Sequence, residues 1–197
     1  MMKNYSQYGE QTEILKALEG RPPALLWDIG AWHPTEFSNS RALIEMGWRG
    51  ILVEPSPGPM LNLLAEYGDS AAVTLIQAAV GLQSGLAELW LSDDAVSTSS
   101  TDEHERWKAA AKFRGKATIP MVTLEQLAAQ YGGADFINLD VEGGSSELFL
   151  RGLQLGYRPH CWCIEHDQRT AELLTSATRE GYVATLVNST NVVLVRR

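Results

Sequence analysis

Four acidic residues stand directly behind short apolar runs: Asp28 behind residues 24–27, Glu54 behind 51–53, Asp140 behind 136–139 and Glu165 behind 161–164. A carboxylate can accept hydrogen bonds from a diol, remove a proton, or ligate a hard cation. A residue that ends an apolar strand lies at the carboxyl edge of the sheet, where open α/β sheets bind their ligands. One such residue is common by chance; four behind four strands describe one acidic edge. Gly30, Glu142 and His166 accompany them within two residues.

The stretch from Leu25 to Pro55 must position the first two. An apolar run ends in Asp28-Ile29-Gly30-Ala31, a helical stretch at 37–46 is closed by Gly47, and a second apolar run ends in Glu54-Pro55. That is strand, glycine turn, helix, strand, the unit that builds a nucleoside site. Gly30 lets a ligand approach the backbone, and Glu54 can accept from a ribose diol. The dinucleotide fingerprint is absent, since one glycine sits in the turn, so a ligand without phosphates fits better. S-adenosylmethionine is the obvious one. Asp28 and Gly30 should then frame its amino-acid half.

The remaining pattern alternates in the same way. Helices are expected at 8–18, 57–67, 104–113, 124–131 (capped by Thr123), 147–151 and 170–180. Strands are expected at 73–78, 87–91, 118–121, 136–139 and 161–164, with an antiparallel pair at 182–187 and 191–195. This predicts an α/β fold with a doubly wound, mostly parallel seven-stranded sheet and a C-terminal antiparallel hairpin, one domain over 1–197. Residues 92–101 are rich in Ser, Thr and Asp. The insert at 92–118 is therefore expected to be a lid.

With 197 residues, 45% of them hydrophobic, the chain can bury roughly 70% of its unfolded surface as one domain. Its net charge is -8, and its 16 Lys and Arg are scattered. Phosphate neutralisation needs clustered cations, so neither a nucleic acid nor an anionic membrane is expected as a partner. No apolar run approaches the roughly 20 residues that span a bilayer, and the start MMKNYSQYGEQ lacks a signal core, so a cytoplasmic location is expected. Composition leaves the oligomeric state open. Cys161 and Cys163 flank Trp162 on an expected strand and read as buried free thiols.

The wording of the chain is also specific. SQYGE, DIGA, SNS, GWRGILVEP and LDVEG occur in that order between Ser6 and Gly143. Together with the acidic turn at Glu165 they resemble the FkbM family of S-adenosylmethionine-dependent methyltransferases. The resemblance implies a class I (Rossmann-like) methyltransferase fold. It implies that Gln7, Tyr8, Ser38 and Asn39 lie near the cofactor, and that Ala78-Ala79-Val80 bring small residues towards the adenine. Asn39 has the alternative of capping a helix. The resemblance also carries the substrate class, a hydroxyl on a sugar or glycosylated metabolite. One departure stands out: the family has a Glu two places after the LDVEG glycine, and here Ser145 occupies that place.

Methyl transfer to oxygen needs the hydroxyl proton removed, or its pKa lowered by a metal. Asp140 and Glu142 can serve as base or ligand, and His166 is a further base. Asp140 and Glu165, on neighbouring strands, resemble the ligand pair of metal-dependent sugar O-methyltransferases and would suit magnesium or manganese. The bland alternative is a polar turn at 165–167, with Asp167 capping the next helix. N-methylation, or a non-catalytic cofactor-binding accessory protein, are the competing functions. A nicotinamide oxidoreductase is disfavoured by the missing glycines.

Overall fold

Apolar residues fill both faces of the central strands, so those strands must lie inside a sheet covered on both sides. The computed structural model describes residues 3–92 and 96–197. In chain order the elements are α1 (Glu10–Ala17), β1 (Leu25–Ile29), α2 (Arg41–Glu45), β2 (Arg49–Val53), α3 (Pro57–Tyr67) and β3 (Val73–Ile76). Then come β4 (Ala79–Val80), β5 (Gly85–Ser92), α4 (Thr101–Trp107), β6 (Phe113–Val122), α5 (Leu124–Tyr131) and β7 (Phe136–Leu139). The chain closes with α6 (Ser145–Gln154), β8 (Cys161–Glu165), α7 (Thr170–Arg179), β9 (Tyr182–Val187) and β10 (Asn191–Arg196).

The main sheet has the order β3-β2-β1-β7-β8-β10-β9. Its first five strands are parallel, and β10 runs antiparallel to both β8 and β9. This is the expected mostly parallel seven-stranded sheet with its antiparallel close. Strand alternation divides the core in two. Trp27, Ile29, Ile137, Leu139 and Trp162 meet Leu127, Phe149 and Leu173 of α5, α6 and α7 on one face. Leu26, Phe136, Cys161 and Cys163 meet Ile14, Leu43 and Leu63 of α1, α2 and α3 on the other. Both cysteines are free and buried, as expected. No helix among the described residues is long and apolar enough to cross a membrane.

Two local expectations are corrected. The helix expected at 37–46 begins only at Arg41, because Phe37 is left-handed (φ 54) and the Ser38 hydroxyl accepts from the Arg41 N–H at 3.1 Å. The strands expected at 87–91 and 118–121 are longer, and with β4 they form a second sheet, β4-β6-β5. Leu86, Glu88, Thr118 and Pro120 face water on this ribbon, while Leu89 and Ile119 are buried. The insert at 92–118 therefore contains α4 and the start of β6; its residues 93–95 lie outside the described residues.

Candidate active site

The carboxyl ends of β1, β2, β7 and β8 open into a cleft of about 300 Å³. Gln7, Tyr8, Asp28, Gly30, Ala31, Ser38, Asn39, Glu54, Pro55, Ala79, Asp140, Glu142 and Glu165 all line it. His166 does not: its Nδ1 accepts from the Gln168 N–H at 3.1 Å within the turn after β8.

At the β1–β2 end each acidic residue has protein partners. Glu54 is buried, and its carboxylate accepts from the N–H of Ser56 at 2.7 Å and of Trp32 at 3.0 Å. Burial pushes its pKa up against those two bonds. It thus ties the β1 turn to the β2 turn. Asp28 is deeper still, accepting from the Ser40 hydroxyl and, at 2.9 Å, from Asn138 Nδ2. Asn138 Oδ1 accepts in turn from Asn39 Nδ2 at 3.1 Å. Asn39 is therefore not a helix cap; it belongs to a buried polar chain that pins α2 to the sheet. Asn138 was missed from sequence, although a polar residue inside an otherwise apolar strand was the available signal. Glu10 of the SQYGE segment was also missed. It accepts from Tyr8 N–H at 2.8 Å, Asn188 Nδ2 at 2.7 Å and Asn191 Nδ2 at 2.8 Å. Burial opposes its charge, but these bonds outweigh burial and hold its pKa below the ordinary value. The N-terminal segment is thereby fastened beside the cleft.

At the β7–β8 end three carboxylates converge. One oxygen each of Asp140, Glu142 and Glu165 lies within 4.8 Å of the others. Burial is the main cause that raises all three pKa values; repulsion adds to it, from Asp28 and Asp167 on Asp140, from Asp140 and Glu103 on Glu142, and from Asp140 and Glu142 on Glu165. Glu165 Oε2 is buried without a hydrogen-bond partner among the described residues. Such a cluster holds protons or a cation at neutral pH. Asp167, a cap of the following helix only in the alternative reading, serves the preceding one: its Oδ2 accepts from the Ser146 N–H of α6 at 2.7 Å. Ser145 is buried, and its hydroxyl accepts from the Val141 N–H at 2.9 Å. The residue that departs from the family pattern shapes the turn and offers no carboxylate.

Aromatic side chains wall the cleft mouth. Trp32 (φ 43) and Phe37 (φ 54) stack at 5.8 Å, and Tyr8 and Trp107 line the cleft too. Left-handed backbone at two bulky residues is sparsely populated and collects at functional sites.

The profile of the Methyltransferase FkbM domain matches residues 28–176. No curated protein matches the chain. Among solved structures, the chain is similar to the hMettl16 catalytic domain in complex with the MAT2A 3'UTR hairpin 6. The identity is 12%, over 98% of this chain and 71% of that one, with a TM-score of 0.47. That complex corrects the expectation that no nucleic acid is a partner. Net charge is summed over a whole chain, whereas binding depends on the local surface, so acidity excludes nothing here. At that TM-score the likeness assigns no RNA to this chain.

Proposed function

Since this chain belongs to the FkbM methyltransferase family, we propose that it moves a methyl group from S-adenosylmethionine to a hydroxyl of a sugar or related small metabolite. The single observation behind this is the meeting of Asp140, Glu142 and Glu165 within 4.8 Å on the cleft floor. The residues fit the cofactor. Gly30 and Ala31 give a close backbone turn, Glu54 offers the remaining lone pairs of its carboxylate to a ribose diol, and Ala79 leaves room for a flat base. S-adenosylmethionine, when bound, supplies a methyl group on a sulfonium centre, and the nucleophile must arrive deprotonated.

Asp140, at the end of β7, is the base, and its raised pKa suits proton uptake near neutral pH. Glu142 and Glu165 hold that proton nearby or share a divalent cation with Asp140. The donor set fits a hard cation: three carboxylates, one carrying a buried oxygen without a partner among the described residues. Magnesium or manganese held there would lower the pKa of the acceptor hydroxyl. Incubation with methyl-labelled cofactor and a panel of sugars, glycosides and amines tests the proposal. Label transferred only to amines would replace O-methylation by N-methylation. No transfer alongside tight cofactor binding would favour an accessory protein.

A further inference from the structure

We infer that Thr98 is a positioning residue that holds Glu142 in the carboxylate cluster, so that the cluster is complete only while the 92–118 insert is docked on the Asp140–Gly143 loop. The inference rests on the reading that these carboxylates act together on the acceptor.

Glu142 sits at φ 23, a strained conformation for a residue with a side chain. Such a conformation persists only where neighbours over-determine it. The bonds within the loop, from Val141 N–H to Ser145 Oγ and from Gly144 N–H to the Val141 carbonyl, bracket Glu142 on either side. Thr98 supplies a bond to the carbonyl of Glu142 itself, with its Oγ1 donating at 2.9 Å. A hydroxyl has one proton to donate, and here it is spent on that carbonyl.

Thr98 is in turn fixed from the insert side. It is 2% exposed, and its backbone N–H and carbonyl both pair with Trp90 of β5, at 3.1 and 2.9 Å. Its Oγ1 accepts from the Ser100 N–H at 2.9 Å, and the Ser100 hydroxyl accepts from the Glu103 N–H as the N-cap of α4. The helix start lies directly on the loop: a Cβ at Gly143 would stand 2.9 Å from Glu103 Cγ and 3.3 Å from Ser100 Cβ. One residue therefore joins β5, through its backbone, to the start of α4 and the strained peptide that carries Glu142, through its hydroxyl. A loose cover over the cleft would need no such joint.

Thr98→Val keeps the side-chain shape and removes the donor; Thr98→Ser keeps the donor. Manganese binding to the full chain, read from the paramagnetic resonance of the free ion, should weaken about tenfold or more in Thr98→Val, which is about 1.4 kcal/mol. It should return towards the parent value in Thr98→Ser. Hydrogen exchange gives a second reading that needs no metal. In Thr98→Val the peptides covering 139–144 and α4 should exchange faster together, while those covering the β1 and β2 turns stay as they were. Unchanged exchange at 139–144 in Thr98→Val, or failure of Thr98→Ser to restore it, overturns the inference. If the parent chain binds no manganese, the metal part of the proposed function falls and the exchange experiment still decides Thr98.

Discussion

A Cβ built on Gly30 would lie 1.7 Å from the backbone carbonyl oxygen of Asp140. The turn after β1 and the turn after β7 are thus in backbone contact, and the Asp140 N–H donates to the Ile29 carbonyl at 2.8 Å. From sequence, Gly30 reads as clearance for a ligand. The structure shows that the first claimant on that space is the peptide of Asp140. The β1 turn and the β7 turn are locked together where a side chain is missing.

Gly30→Ala should therefore cost stability before it costs affinity. The backbone is left-handed (φ 86), which alone disfavours alanine by about 1–2 kcal/mol, and the contact forces the β7 turn to move as well. Urea unfolding should show a loss of about 2 kcal/mol or more, or no folded protein. An unchanged midpoint would mean that the two turns are not held against each other.

Glu54 separates cofactor binding from turn structure when two substitutions are compared. Glu54→Ala strips the Ser56 and Trp32 N–H groups of their acceptor and should lower stability along with S-adenosylmethionine affinity. Glu54→Gln keeps one acceptor oxygen and so one of the two turn bonds; stability should fall less than in Glu54→Ala, while cofactor affinity falls by about 1.5–3 kcal/mol for a bond to a charged group. Calorimetry measures it. Glutamine binding the cofactor as tightly as glutamate would remove the ribose from Glu54.

Much of this was legible in the chain. The strands could be read because their apolar runs are continuous, and the acidic edge because each carboxylate directly follows one. What escaped was contact between distant segments. Asn138 reaches Asp28 across paired strands, and Glu10 reaches Asn188 and Asn191 across the whole chain. No spacing records such partners. The alternative reading of Asp167 as a cap for the next helix missed that it reaches the previous one through space. The second sheet escaped because alternation marks a strand and not the sheet that it joins. Glu142 was legible as a carboxylate in LDVEG, but its dependence on the insert was not.

The carboxylate cluster should make the cation-free protein less stable as pH rises. The folded pKa values of Asp140, Glu142 and Glu165 lie above their unfolded ones, so between them the folded state binds more protons. Their stabilising share is full below about pH 4, the unfolded carboxylate range. It is lost as pH climbs through the folded values, the first being that of Asp140 at about 7. Thermal melts in chelator should fall across that window, and magnesium or manganese should flatten the slope. A chelated protein with no such slope would show that the three groups are not held above their ordinary pKa values in the fold.

The insert should respond to ligands. In the free protein, protease should cut first within 92–118, and cofactor with acceptor should slow that cut. Val96, Thr98 and Trp107 line the cleft, so a bound ligand touches the insert directly. Equal cleavage rates with and without ligands would leave the insert a fixed wall.

The most direct measurement follows the labelled methyl group. The chain is incubated with methyl-labelled S-adenosylmethionine and a hydroxyl-bearing sugar panel, and the position of the label in the product is read by magnetic resonance. The account predicts label on an oxygen, with a rate that drops by about 10²–10⁴ in Asp140→Asn, the share a general base supplies. Label on nitrogen, or an Asp140→Asn chain that keeps its rate, would contradict it.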